Sequence, residues 1–378
     1  MRLGSWASAA VFAGTLALGC AAAYANGYGY EDLYTLNVPS MPNASVVQIN
    51  GCSGGQVAGD VNNGIGEYAS ALLWSSSAPP VNLTPGSFGE AACLGIGGGQ
   101  QVGFGAPSSA NDENSHALFW NGSAASVVDL GSGPAGFNDA MANGTNGTQQ
   151  VGSAVTGIQT HAMLWNDTAS SVVDLNPAGF NGSEAYATDG IHQVGLGFTG
   201  SNSQHALLWS NSATSAIDLN PNNFSSSEAD GIGGNQQVGW GNNGSFTTAL
   251  LWTNTSASAV ALNPSGITNS YALGTNGSQQ VGYGSVSLGG GTQALLWNGT
   301  ATAFVNLGSL LPSQFTSSEA FSIDAQGNVF GYAYDKSDGL YDAIEWQTPE
   351  PSSATLLAVG GLGLLPRQRR RPIVRWHD

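Results

Sequence analysis

Apolar residues in this chain come in short bursts separated by Gly-, Asn- and Ser-rich segments, with no helical spacing sustained over a useful length. The most regular burst ends in tryptophan. It occurs as Ala71-Leu72-Leu73-Trp74, Ala117-Leu118-Phe119-Trp120, Ala162-Met163-Leu164-Trp165, Ala206-Leu207-Leu208-Trp209, Ala249-Leu250-Leu251-Trp252, Ala294-Leu295-Leu296-Trp297 and Ala343-Ile344-Glu345-Trp346. Successive tryptophans lie 46, 45, 44, 43, 45 and 49 residues apart. A period of this size signals an array of like supersecondary units. One unit reads as four strands: Phe180–Ala187, Ile191–Gly197, His205–Trp209 and Ser215–Pro221. The Gly, Asn and Ser between them are turn signals, so the unit is a four-stranded meander.

Two further elements keep the same period. Gln-Val-Gly recurs at Gln101, Gln150, Gln193, Gln237 and Gln280, with degenerate copies at Gln56-Val57-Ala58 and Val329-Phe330-Gly331. The fourth strand recurs six times, as Val81-Asn82-Leu83, Val128-Asp129-Leu130, Val173-Asp174-Leu175, Ile217-Asp218-Leu219, Val260-Ala261-Leu262 and Val305-Asn306-Leu307. The last unit lacks it. A similar stretch, Leu33–Val38, precedes the first unit. An N-terminal strand that completes the last sheet is how a β-propeller closes its ring. The expected fold is all-β: a seven-bladed propeller of four-stranded blades over residues 26–348. An open solenoid would need capping repeats at both ends, and two separate β domains would leave the displaced strand unexplained. The Ala-Leu-Leu-Trp strands are apolar on both faces, so they belong between neighbouring sheets. Their tryptophans are core, not a sugar-stacking platform.

Composition supports a turn-rich β protein. Glycine numbers 55, and charged residues are only 8%, against about 25% in average proteins. Hydrophobic content of 41% argues against disorder. Between residues 26 and 348 stand one base, Lys336, and 22 acids, a formal charge of −21. Such a body repels nucleic acid and anionic membrane. Cations, neutral glycans and basic partners suit it.

The two ends read as sorting signals. Residues 1–25 have a positive start at Arg2, an apolar stretch from Ala9 to Ala23, and a small-x-small site at Ala23-Tyr24-Ala25, which sets signal cleavage between Ala25 and Asn26. Cys20 follows Leu16-Ala17-Leu18-Gly19 and departs from a lipobox at Ala17. Near the C-terminus come Pro349-Glu350-Pro351, an apolar run from Ala354 to Leu365, then Arg367, Arg369, Arg370 and Arg371. Residues 349–371 thus resemble the PEP-CTERM sorting tail of exosortase substrates. That resemblance implies export, transient inner-membrane anchoring held by the arginines, cleavage by an exosortase-like enzyme, and release to the cell surface or beyond. The apolar run is 12 residues, short against the roughly 20 that span a bilayer, and an extension, 372–378, follows the arginines. A plain tail anchor is the alternative. The units themselves, with His116-Ala117-Leu118-Phe119-Trp120, His161-Ala162-Met163-Leu164-Trp165 and His205-Ala206-Leu207-Leu208-Trp209, resemble bacterial extracellular HAF repeats. That likeness implies location and fold, not an activity.

Candidate chemistry is sparse. His116, His161 and His205 share one repeat position, so they lie in different blades, and structural hydrogen bonding suits them better than a shared metal. Cys52 and Cys93 fall in neighbouring units, where export would allow a disulfide. Glu90, Asp139, Glu184, Glu228 and Glu319 read as one position at the start of the first strand. If first strands line the channel, these five form a ring at one mouth, suited to calcium; otherwise each acid caps its own turn. Asp335-Lys336-Ser337-Asp338-Gly339 is a second loop candidate without EF-hand spacing. The twelve Asn-x-Ser/Thr sequons are mostly Asn-Gly turns. No phosphate loop, nucleophile elbow or His-Glu-x-x-His occurs, and no organic cofactor is called for. The expected function is an exported envelope or extracellular-matrix module that binds polysaccharide or protein. The alternative is a glycan-active enzyme, glycosidase or lyase, built from paired carboxylates on the same scaffold.

Overall fold

A computed structural model describes residues 28–35, 46–62, 68–75, 78–107, 114–200, 203–286 and 291–347. The expected leader, its expected cleavage site at Ala25 and Asn26, and the expected sorting tail with Pro349, Glu350, Pro351 and the arginine cluster lie outside the described residues. Within them, 28 strands form seven four-stranded antiparallel sheets, and the helical pieces are five three-residue 3-10 turns. The sheets are the blades of a seven-bladed propeller. Their first strands are Val46–Ser53, Phe88–Gly97, Asn138–Thr145, Gly182–Thr188, Ser226–Gly233, Asn269–Thr275 and Phe315–Ile323, in blades one to seven. These strands pack against one another around the axis. The short fourth strands form the rim.

The ring closes as a velcro. Gly29–Thr35 pairs antiparallel with Leu340–Gln347 and supplies the fourth strand of blade seven. The strand sits earlier than the expected Leu33–Val38. Its register explains the difference: Asp32 opposes Ile344 as Asp218 opposes Leu207, and Glu31 opposes Glu345 as Ile217 opposes Leu208. The counterpart of Val-Asp-Leu is therefore Glu31-Asp32-Leu33. Upstream, Tyr28 is buried in the cluster between blades six and seven, where Tyr30 also packs. A similar offset corrects the Gln-Val-Gly copy in blade one. Val57, not Gln56, opposes Trp74, so Val57-Ala58-Gly59 is the equivalent triplet.

Seven hydrophobic clusters fill the seven interfaces between blades. In blade four, Leu207 and Trp209 pack toward blade three while Ala206 and Leu208 pack toward blade five. This is why the third strand is apolar on both faces. All seven repeat tryptophans are at most 2% exposed, and each buried Leu or Trp contributes about 1.5–3 kcal/mol. Trp346 donates its Nε1–H to Leu307 O at 3.1 Å. Trp120, Trp165, Trp209, Trp252 and Trp297 bury Nε1 without an acceptor, at about 1–3 kcal/mol each, a cost that burial of the ring offsets.

The other repeated residues also hold the frame. Gln193 Oε1 accepts the N–H of Asn211 at 2.8 Å, and its Nε2 donates to Asn211 Oδ1 at 2.9 Å. Asn211 has φ of 62°, so the glutamine clamps a left-handed turn after the tryptophan, as Gln101, Gln150, Gln237 and Gln280 do in blades two, three, five and six. Ser183 accepts the N–H of Ala162 in the preceding blade at 3.0 Å and donates to Asn176 Oδ1 at 2.8 Å. Ser227 repeats this with Ala206 and Asn220. Ser270 and Ser318 make the same bond to Ala249 and Ala294, so these bonds stitch blades four to seven to their predecessors.

The expected disulfide is not formed. Cys52 and Cys93 are both free and buried. Cys52 faces the cluster between blades seven and one, and Cys93 the cluster between blades one and two. They lie on opposite faces of blade one. Burial pushes both thiols up to about 12.

Candidate functional site

Every first strand carries a β-bulge at the same place. The register skips one residue between Ile49 and Gly51, Cys93 and Gly95, Ala142 and Gly144, Ala185 and Ala187, Ala229 and Gly231, Ala272 and Gly274, and Ala320 and Ser322. A bulge frees one residue from the ladder and re-aims its side chain. The seven freed residues are Asn50, Leu94, Asn143, Tyr186, Asp230, Leu273 and Phe321, and all seven line the central channel, a cavity of about 630 Å³. The residue after the bulge must be small, because the next blade's backbone abuts it. A Cβ on Gly274 would lie 2.6 Å from Phe321 O, and one on Gly231 2.5 Å from Leu273 O. The scaffold is thus repetitive, whereas the channel wall varies, with five residue types over the seven blades.

Apolar and polar groups are interspersed around that wall, Leu94 standing between Asn50 and Asn143 and Leu273 beside Phe321. Leu94, Leu273 and Phe321 are apolar. Asn50 and Asn143 donate side-chain N–H groups to Cys93 O and Ala185 O of the following blade, at 2.8 and 3.1 Å. Tyr186 and Asp230 form the ionisable sector. Tyr186 donates to Glu184 Oε2 at 3.1 Å. Asp230 is in side-chain contact with Glu228, and its Oδ2 is buried without an N–H or O–H donor. Two carboxyls meet in this way only when one keeps its proton. Burial holds Asp230 well above the usual carboxylate range, and neighbouring Glu228 adds to it. Burial likewise raises Glu228, Glu184 and Glu319, the last also accepting from Thr292 Oγ1 at 3.1 Å. Aromatic rings fill the clefts between these acids. Trp240 meets Tyr271 edge-on at 6.1 Å, and Tyr271 stacks on Tyr283 at 5.0 Å.

The expected five-membered ring of acids does not form. Glu184, Glu228 and Glu319 share one register, opposite Leu196, Trp240 and Tyr332. In the other blades that place belongs to Gln48, Ala92, Met141 and Tyr271. Glu90 falls two residues upstream, in the register of Gly182, and Asp139 is the residue that a register shift between Asn138 and Ala140 leaves out of the ladder. Asp139 is exposed and accepts the N–H of Ser115 at 2.8 Å, a bond to the preceding blade rather than a cap on its own turn. Among the described residues no group of three or more His, Cys, Asp or Glu is disposed to hold a metal, so these five acids supply no calcium ring. In the second loop, Asp335 accepts from Ser337 N at 2.7 Å and Asp338 from Leu340 N at 3.0 Å, both turn contacts.

The histidines have carboxylate partners on the neighbouring fourth strand. His116, His161 and His205 bond through Nδ1 to Asp129, Asp174 and Asp218 at 2.9, 2.8 and 2.8 Å. A carboxylate oxygen only accepts, so Nδ1 carries the hydrogen. Sequence reasoning missed the bulge residues. Their signal is a variable residue between two small ones, as in Ala142-Asn143-Gly144 and Ala229-Asp230-Gly231.

Among known proteins, no family model matches the chain, and no curated protein resembles it in sequence. Solved structures do resemble the fold. A puromycin hydrolase aligns at 10% identity and a TM-score of 0.54, over 84% of this chain and 56% of the hydrolase. The β-propeller domain of the Trilobed protease from Pyrococcus furiosus, which has an open velcro topology, aligns at 9% identity and 0.52, over 80% of this chain and 95% of that domain. The Pyrococcus horikoshii acylaminoacyl peptidase aligns at 8% and 0.50, over 85% and 55%. The chain therefore spans little more than half of the two whole enzymes. At these identities the likeness extends to the fold alone: the protein is a seven-bladed β-propeller resembling the propeller domains of peptidases.

Proposed function

We propose that this propeller is an exported binding module of the cell envelope or extracellular matrix, sorted through its C-terminal tail by an exosortase-like enzyme and holding its ligand in the central channel. One observation carries the binding reading. On a scaffold where the core, the turn clamps and the interblade bonds repeat, the re-aimed bulge position holds Asn, Leu, Asn, Tyr, Asp, Leu and Phe in turn. A structural ring would repeat there too, whereas recognition of an asymmetric ligand needs unlike groups. Apolar and hydrogen-bonding groups together suit a polysaccharide end or a short polypeptide segment.

Affinity electrophoresis in the cells' own extracellular polysaccharide tests this. Tyr186→Ala/Phe321→Ala should lose retardation at least about tenfold, roughly 1.4 kcal/mol. Retardation equal to wild type would refute the site. Mass spectrometry of the mature C-terminus tests the sorting: a surface product still carrying Arg369–Arg371 would refute it.

The Glu228–Asp230 pair favours a second reading, a glycan-active enzyme, because a carboxyl that keeps its proton is a ready general acid. These two carboxyls touch, however, whereas retaining glycosidases hold theirs about 5–5.5 Å apart and inverting ones about 6.5–9.5 Å apart. Binding therefore stands first. Release of reducing ends that is lost in Asp230→Asn would reverse the order.

A further inference from the structure

The seam of the ring departs from the other blades in one respect. At the slot before the apolar third strand, most blades pair complementary groups across to the fourth strand. These are His116–Asp129, His161–Asp174 and His205–Asp218, with Asn82 donating to Ser70 at 3.5 Å in blade one. In blade seven the same two places hold Asp342 and Asp32, on one face of the sheet. On the other face Glu31 stands directly opposite Glu345. The corresponding pair in blade four is Ile217 opposite Leu208, both apolar. Like charges directly opposed across an antiparallel pair are destabilising. The one blade closed without a chain connection is thus the blade that sets acid against acid on both faces of its joint.

We propose that the N-terminal strand is a proton-dependent clasp, firm in mildly acidic surroundings and loosened as its facing carboxyls ionise. Apolar anchors keep the strand in register: Tyr28 and Tyr30 pack into the cluster between blades six and seven, and Leu33 into the one between blades seven and one. Tyr28 also accepts from Gln279 Nε2 at 3.3 Å, and Gln347 donates to Glu31 Oε2 at 2.9 Å. Against these stand the acids. Asp32 faces Asp342, with Asp335 and Asp338 of the neighbouring hairpin, which also carries Lys336; Glu31 faces Glu345, with Asp324 near the latter. Partial burial, then Asp342, pushes Asp32 up to about 6, and burial, then Glu31, raises Glu345.

The sign follows. A carboxyl that binds its proton more tightly in the closed ring favours closure below its unfolded value of 3.8, and that preference fades as pH rises through about 6. Two pH units of affinity difference would be a hundredfold. Between pH 5 and pH 7.5 a closed-ring value of about 6 accounts for about tenfold of it; Asp32 is half in water, which screens its own share, and Glu345, raised by burial on the other face, adds to it.

Hydrogen exchange with mass spectrometry on the full chain tests the clasp, with rates corrected for intrinsic base catalysis. Protection of Gly29–Thr35 should fall about tenfold from pH 5 to pH 7.5, while Gln204–Trp209 in blade four stays within about twofold. Glu31→Gln/Asp32→Asn should abolish the fall and hold the strand at its acid-side protection throughout. Added salt should restore wild-type protection at pH 7.5 by screening. Wild-type protection independent of pH would overturn the proposal, as would an equal fall in the double variant. Should the variant fold poorly, the wild-type pH and salt series decides alone.

Discussion

The glycine of each Gln-Val-Gly triplet makes a specific demand on the fold. In blade four a Cβ on Gly195 would lie 2.8 Å from Ala185 Cα and 2.9 Å from Glu184 C, with Glu184 O nearer still. These are backbone atoms of the first strand, so no rotamer change relieves the contact. Carbon atoms pack at about 3.5–4.0 Å, so Gly195→Ala must push the first strand at least about 0.7 Å toward the channel. That strand carries the bulge that aims Tyr186. Overpacking of this kind costs about 1–3 kcal/mol and occasionally more, and a rigid obstacle puts the cost at about 3 kcal/mol. Gly86→Ala is the matched control, since nothing lies within 4 Å of a Cβ there and its φ is not positive. Denaturant titration followed by tryptophan fluorescence compares the two. Gly195→Ala should move the midpoint markedly and Gly86→Ala by less than about 0.5 kcal/mol. A Gly195→Ala protein as stable as the control would refute the close approach of first and second strands.

Three further outcomes follow from the same geometry. Leu207→Ala removes a fully buried side chain between blades three and four and should cost about 2–5 kcal/mol by denaturant titration; a cost under about 1 kcal/mol would contradict that interface. Glu184, Glu228, Asp230 and Glu319 are all raised by burial, so the folded chain binds protons more tightly than the unfolded one and stability falls as pH rises through their folded values. The thermal midpoint should therefore drop from pH 5 to pH 8, less steeply in Asp230→Asn; a rising midpoint would contradict this. Cys52 and Cys93 are free and buried, so a thiol reagent should find neither in the native mature chain and both after denaturation without reductant, whereas a disulfide would leave none.

Much of the fold was legible because the repeat exposes it. An apolar four-residue run at near-constant spacing can only be a strand buried on both faces, and its seven copies count the blades. The displaced strand was legible as a closure but not in register. Its partners are held by Tyr28, Tyr30 and Leu33 rather than by the Val-Asp-Leu pattern of the other blades, so alignment on pattern alone slid it toward the C-terminus. The acid position failed for a related reason. Glu90 stands 11 residues before Gln101 whereas Glu184 stands 9 before Gln193, so two positions of unlike register were aligned as one. Bulges also hid the channel residues. Tyr186 and Asp230 follow an alanine inside a strand, and strict two-residue alternation gives no reason to aim them anywhere special. The Asp partners of His116, His161 and His205 were visible in the fourth-strand pattern, yet only the pairing of third and fourth strands joins them.

Both the channel and the clasp depend on a ring closed by its own N-terminal strand. Gly29 and Gln347 are opposed in that joint, so Gly29→Cys/Gln347→Cys under mild oxidation tests the closure directly. A closed ring predicts an intramolecular disulfide between these two positions, seen as a cross-linked peptide pair by mass spectrometry at every protein concentration. Free thiols at both positions after oxidation, or cross-links only between separate chains, would contradict the closed propeller.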